Sequence, residues 1–356
     1  MSILDNQTKI KKLDQSQMLE SIKQLTGQCQ QVWQEAKGVK IPADYKKVKN
    51  IVINGMGGSG LGAQIIRFLF WDKLKIPLEI INSYRVTNYL GPDSLYIIST
   101  YSGNTEEPLN TIPSALARRA KILGITQGGR LADLIQQKKI RGLVFSADHN
   151  PCGSPRLGIG YSIFGLLGLF QQCGLLNLRD KEVGQLVRSL KRVNNKFSPK
   201  MPVSQNPVKQ MAIKLENKIP ILVGAEFLTG NIHSFSNQLN ESAKNFSTYF
   251  IIPDLNHHLM EGLANPKKYK KALKFLFIQS DLYLPKNQKR IEVTKDVVEN
   301  NSVDFIEYKL QSKTKLEQSF ELLLFGSYVS FYLAILHGID PTSIPWVDYF
   351  KEQLAK

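Results

Sequence analysis

The sequence predicts an α/β protein of two halves, each a parallel sheet flanked by helices in a doubly wound, flavodoxin-like arrangement. Three observations lead there. Short apolar runs alternate with helical stretches along most of the chain. The 356 residues, at roughly 150 per domain, suffice for two domains. Lys49-Asn50-Ile51-Val52-Ile53-Asn54-Gly55 and Lys218-Ile219-Pro220-Ile221-Leu222-Val223-Gly224 read as one strand opening each half, a sign of internal duplication.

Taken in order, residues 1–40 read as a polar, partly helical lead-in ending at Ile41-Pro42. A first domain follows over 41–195. Its strands are expected at 51–54, 78–81, 95–99, 121–125 and 142–145, with helices at 61–71, 106–119 and 131–138. The polar stretch 196–207, with Pro199, Pro202 and Pro207, reads as a loop. It opens a second domain over 196–356, with strands at 219–223, 249–252, 273–278 and 303–308 and a long helix over 314–336 before a short tail. The uncharged run 322–336 is shorter than the roughly 20 residues a membrane span needs, so a buried helix is expected.

Apolar residues make up 42% and charged residues 21% of the chain, which excludes disordered, collagen-like and coiled-coil classes. The net charge of +16 favours anionic partners: nucleic acid, acidic lipid or phosphorylated metabolites. Lysines cluster at 46–49 and 267–271, but no helix-turn-helix or zinc-finger pattern accompanies them and interleaved aromatics are sparse. Neither a nucleic-acid nor a membrane partner is therefore expected. Cys29, Cys152 and Cys173 are odd in number and lack CxxC spacing, which fits a reducing compartment. With no apolar signal-peptide core at the N-terminus, the expected location is the cytoplasm.

The chemistry lies in two loops. Gly55-Met56-Gly57-Gly58-Ser59-Gly60 follows a strand and opens a helix, where glycine lets backbone amides close around an anion. The same glycines satisfy GxGxxG, but the next strand ends Ile81-Asn82-Ser83, without the acid that holds a dinucleotide ribose. A structural glycine turn remains an alternative. The second loop, Thr100-Tyr101-Ser102-Gly103-Asn104-Thr105-Glu106-Glu107, brings three hydroxyls and a glycine to another strand end. Thr105 could equally serve as a helix N-cap. Two such loops on neighbouring strand ends converge where ligands bind in parallel sheets.

GMGGSG followed by TYSGNTEE resembles a sugar isomerase domain, the sugar-phosphate-binding fold. Pro151-Cys152-Gly153-Ser154-Pro155-Arg156, Leu239-Asn240-Glu241-Ser242-Ala243-Lys244, Pro253-Asp254-Leu255-Asn256-His257-His258, and Asp340-Pro341 with Lys351 near the end are similar to the bifunctional phosphoglucose/phosphomannose isomerase family. The resemblance runs from about Asn50 to the C-terminus. It implies that Gly58, Ser59, Thr100, Ser102 and Thr105 hold the phosphate of a sugar 6-phosphate. It further implies Glu241 as the base that moves a proton through an enediolate, His257 and Lys351 as ring-opening residues, and Arg156 as the cation that steadies enediolate charge. A carboxylate, an imidazole and a guanidinium suit these roles chemically. Asp254 and Thr100 stand where glutamate and serine are common in the family, and His258-Leu259 where Asn-Glu usually follows the histidine.

The expected activity is metal-independent interconversion of glucose 6-phosphate and fructose 6-phosphate, and also of mannose 6-phosphate, with no organic cofactor. The resemblance also implies a homodimer with shared active sites. The alternative is a non-catalytic sugar-phosphate-binding protein or regulator of the same fold, which would lack Glu241 and His257. A nicotinamide oxidoreductase using the glycine loop is the other rival.

Overall fold

In the computed structural model, which describes residues 2–354 and 356, the chain forms two compact units. One runs from Lys23 to Arg188, and the other combines the chain up to Ile22 with the chain from Ser189 onward. These limits differ from the divisions at 40 and 195 drawn from the sequence. The reason lies in the first 40 residues, which carry apolar faces under their polar composition. Leu4, Ile10, Met18 and Ile22 are buried in one unit, and Cys29, Val32, Trp33 and Ala36 in the other.

The Lys23–Arg188 unit holds five parallel strands: β1 (Asn50–Asn54), β2 (Leu78–Ile81), β3 (Ser94–Ser99), β4 (Lys121–Thr126) and β5 (Arg141–Val144). Their order is β2-β1-β3-β4-β5. The other unit holds β6 (Ile219–Ala225), β7 (Thr248–Ile252), β8 (Leu273–Gln279) and β9 (Asp304–Lys309) in the order β7-β6-β8-β9. Both sheets therefore begin with the same 2-1-3-4 order, whose switch point falls between the first and third strands. The registers agree as well. Asn50 lies opposite Ser94 and, at the corresponding positions, Ile219 lies opposite Leu273. All nine expected strands form within two residues of their expected limits. Every residue of β3 is buried, as expected for a central strand covered on both faces.

Helix limits moved more. The helix expected at 61–71 spans Gly57–Leu69, so it starts inside the glycine run. The single helix expected at 106–119 is two, Glu106–Asn110 and Ile112–Ala117. Pro113 has no N–H to give the Leu109 carbonyl, which ends the first helix. The helix expected at 131–138 spans Gly129–Gln136. Helices not foreseen include Ile159–Gln172 and Asp180–Phe197, the latter running into the stretch read as loop. Residues 159–170 are all buried, so that helix has no polar face to set a 3.6-residue period.

The long helix Lys315–Leu336 starts at the N-cap Thr314, whose hydroxyl accepts from Glu317 N while the Glu317 carboxylate accepts from Thr314 N. By length and composition it could cross a membrane, yet 94% of its most apolar stretch is buried in the protein. Its apolar surface is spent on the core. The three cysteines are free thiols, Cys29 and Cys173 buried and Cys152 half-buried.

Candidate functional site

In the Lys23–Arg188 unit, three loops meet at the carboxyl end of the sheet, and β1 and β3 place the first two at its switch point. The first begins at Gly55, where a side chain would press to 2.8 Å from the Ser99 carbonyl oxygen. Gly57 takes a left-handed φ of +50° and starts the helix. The first-turn amides of that helix therefore lie within the glycine run, beside Gly58 and Ser59. At the end of β2, where a dinucleotide fold would offer an acid, the Asn82 amide donates to the Gly55 carbonyl. That residue braces the loop.

The second loop is tied to the first. Tyr101 N donates to Ser59 Oγ at 3.0 Å, and Ser99 Oγ donates to the Ser59 carbonyl at 3.2 Å. Thr105 does occupy an N-cap position, but its side chain makes no capping bond. Its hydroxyl instead lies 2.6 Å from that of Thr100. Such a pair uses one of its two hydrogens internally and leaves the other to donate to a ligand. Ser102 is exposed, its Oγ accepting from Asn104 N at 3.3 Å.

The third loop follows β5. Here Pro155 and Arg156 back directly onto Gly58, where a Cβ would stand 3.2 Å from Arg156 Cα and 3.3 Å from the Pro155 carbonyl. Arg156 Nη1 donates to Ser154 Oγ at 2.8 Å. The Tyr101 phenol accepts from Asn150 Nδ2 at 2.8 Å. Burial raises the Tyr101 pKa above the ordinary phenol value, against the lowering effect of that hydrogen bond. Gly58, Ser59, Thr100, Ser102, Thr105 and Arg156 are thus carried by three adjoining loops of one unit. The hydroxyls and first-turn amides form a donor set matched to a phosphate group, and Arg156 adds a cation on the adjoining loop.

The remaining expected residues lie in the other unit, on three separate elements. Glu241 is half-buried at the last position of helix Thr229–Glu241. His257 is exposed on the short helix Leu255–His258, with its neighbour His258 3.5 Å from Asp254 Oδ2. Lys351 is exposed on helix Pro345–Leu354, which contains no buried residue. Among the described residues, no three His, Cys, Asp or Glu side chains gather into a group that could hold a metal ion.

The switch point of the second sheet is filled differently. Register places Glu226 where Gly57 stands, and its φ of +49° nearly equals that of Gly57. Register likewise matches Leu284 with Thr105, each the N-cap of the following helix. The Glu226 carboxylate accepts from Leu284 N at 2.8 Å and from Asn287 Nδ2 at 2.7 Å. A carboxylate of the chain itself occupies this crevice. Neither Glu226 nor the bracing residues Tyr101, Asn150 and Asn82 stood out as site residues in the sequence. Their contacts join positions 27 to 61 residues apart, and no local motif marks them.

Comparison with known proteins bears on the whole chain. Residues 204–354 match the family described as bacterial phospho-glucose isomerase C-terminal SIS domain. A bifunctional phosphoglucose/phosphomannose isomerase of Caldicellulosiruptor bescii is 31% identical over 341 residues, covering 95% of this chain and 99% of that protein. One of the same name from Aquifex aeolicus is 27% identical, over 89% of this chain and 93% of its own length. Among solved structures, a glucose-6-phosphate isomerase-like protein of Thermus thermophilus superposes with a TM-score of 0.60 at 14% identity, covering 96% of this chain and 95% of that one. At that identity the likeness speaks for the fold.

Proposed function

The chain belongs to the bifunctional phosphoglucose/phosphomannose isomerase family and is an isomerase, and we propose from that premise that it interconverts glucose 6-phosphate and mannose 6-phosphate with fructose 6-phosphate through a cis-enediolate. The observation that carries the substrate class is the meeting of Ser59, Thr100, Thr105 and Arg156 on adjoining loops of one unit. In this reading Gly58, Ser59, Thr100, Ser102 and Thr105 hold the phosphate. Glu241 moves the proton between the first and second carbons, His257 and Lys351 open the ring, and Arg156 stabilises the enediolate. These groups supply acid, base and charge stabilisation, so no metal or organic cofactor is needed. In some family members a threonine seven residues before the C-terminal lysine goes with acceptance of both epimers; Ile344 stands at that spacing here, a departure, with Thr342 and Ser343 directly beside it as the hydroxyls on which the dual substrate is proposed. The enzyme works in the cytoplasm.

Glu241→Gln tests the mechanism. It should bind fructose 6-phosphate nearly as the parent does and turn it over at least about 100-fold more slowly, the scale of losing a positioned base. Unchanged turnover would remove Glu241 from the mechanism.

We also propose a homodimer with composite sites. His257 and Lys351 are both exposed, and the helix bearing Lys351 presents Trp346, 81% exposed, and Phe350, 61% exposed. A second copy would bury that face and hold Lys351 and His257 in place, reciprocally across a two-fold axis. Mixing Glu241→Gln with His257→Ala under subunit exchange should then restore activity, because each heterodimer keeps one intact site. A mixture that stays inactive after confirmed exchange would place both residues in the same subunit.

A further inference from the structure

We propose that Asn150 is a positioning residue for the isomerase site: its carboxamide locks the loop carrying Arg156 onto the loop carrying Thr100 and Ser102. This rests on the role given to Arg156 above. Asn150 is only 4% exposed, in a stretch between β5 and the turn Pro155–Leu157 that has no strand or helix of its own. Backbone ladders cannot hold such a stretch, so its shape must come from side chains.

Both amide hydrogens are used. Asn150 Nδ2 donates to the Tyr101 hydroxyl at 2.8 Å and to the Ser154 carbonyl at 3.0 Å, while Oδ1 accepts from Cys152 Sγ at 3.3 Å. Its backbone carbonyl also accepts from Gly153 N at 2.9 Å. The side chain therefore folds the 150–154 turn around itself and fastens it to Tyr101.

Tyr101 is anchored independently. Its amide donates to Ser59 Oγ, its ring meets Phe145 edge-on at 5.8 Å, and a Cβ at Gly158 would overlap the ring. At the far end, Ser154 accepts from Asn150 through its carbonyl and from Arg156 through its hydroxyl. The chain of contacts Tyr101, Asn150, Ser154, Arg156 ties the guanidinium to Ser154 on a loop whose backbone at Arg156 packs against Gly58. Asparagine suits this place because one group must donate to both a phenol and a carbonyl. An aspartate would face the Ser154 carbonyl with a second acceptor.

Arginine that neutralises charge appearing only in the transition state acts on kcat, whereas the phosphate does not react and reports on binding alone. Loosening the Arg156 loop should thus spare phosphate binding and slow turnover. The experiment measures kcat and the inhibition constant of inorganic phosphate for Asn150→Ala, Arg156→Ala, the double variant and Tyr101→Phe, with thermal unfolding of each. Arg156→Ala should lower kcat by about 100-fold, the scale of a lost charge-stabilising group. Asn150→Ala should lower it by about 10-fold or more, as a misplaced group does, with the phosphate constant within about 3-fold of the parent. In the Arg156→Ala background the same substitution should change kcat by less than about 2-fold. Tyr101→Phe, which keeps the ring and deletes the acceptor, should reproduce part of the loss. A loss from Asn150→Ala that is equal in both backgrounds, or that appears only as weaker phosphate binding, overturns the proposal. So does full turnover by Asn150→Ala beside a crippled Arg156→Ala. Full turnover by Arg156→Ala itself overturns the arginine's role and this proposal together.

Discussion

Gly103 lies between Thr100 and Thr105 with φ at +71°, and a methyl group there would overlap the Gly128 carbonyl oxygen. The loop can fold this tightly only because no side chain is present. Gly153, in the arginine loop, shares the left-handed backbone at φ +66° but has nothing within 4 Å of the missing Cβ. The pair separates conformational strain from collision. Gly153→Ala should cost about 1–2 kcal/mol, the left-handed penalty alone. Gly103→Ala should cost more than that and abolish phosphate binding, since the Thr100 and Thr105 hydroxyls must move with the loop. Thermal unfolding and a phosphate titration of both variants check this, and equal effects would remove the collision from the account. The residue types of this loop could be read from the chain, but the obligatory nature of Gly103 depends on Gly128, which comes from the turn after β4.

At the scale of elements, the N-terminal segment is held by an ion pair of unusual burial. Lys209, with a fully buried side chain, donates to Asp5 Oδ1 at 2.9 Å and to the carbonyls of Pro199 and Met201 at 3.0 and 2.8 Å. Its ammonium also stands 5.6 Å from the Tyr332 ring centre. Asp5 in turn accepts from Val203 N at 3.0 Å. Asp5→Asn would strand the ammonium in the interior, and should destabilise the protein by about 3 kcal/mol in denaturant unfolding. Asp93→Asn, which breaks the exposed pair of Lys49 and Asp93 at 2.6 Å, should leave stability unchanged. Similar midpoints for the two variants would show that the Lys209 ammonium finds water after all. The sequence offered no sign of this, because a lysine in an amphipathic helix and an aspartate two hundred residues away look like ordinary surface charges until the fold pairs them.

For the whole molecule, the two sheets share the same opening topology but differ at the switch point. The first presents Gly57 and Thr105, and the second sets the Glu226 carboxylate against Leu284 N and Asn287. One phosphate per chain is the expected stoichiometry in equilibrium dialysis with inorganic phosphate, and Ser59→Ala with Ser102→Ala should remove it. Two equivalents per chain, or one that survives the double substitution, would mean that the second half binds as well.

Strands, their α/β alternation and the two donor-rich loops were determined by the sequence alone, because apolar runs, glycines and hydroxyls act locally and leave a pattern within ten residues. Helices such as Ile159–Gln172 escaped that reading, since full burial erases the polar face that would reveal a period. The pairing of Ser59 with Tyr101, the backing of Gly58 by Arg156, the plugging of the second crevice by Glu226 and the burial of Lys209 were decided only by the tertiary structure. Each joins residues tens to hundreds of positions apart. Such contacts depend on sheet order and register, which no single stretch of the chain encodes.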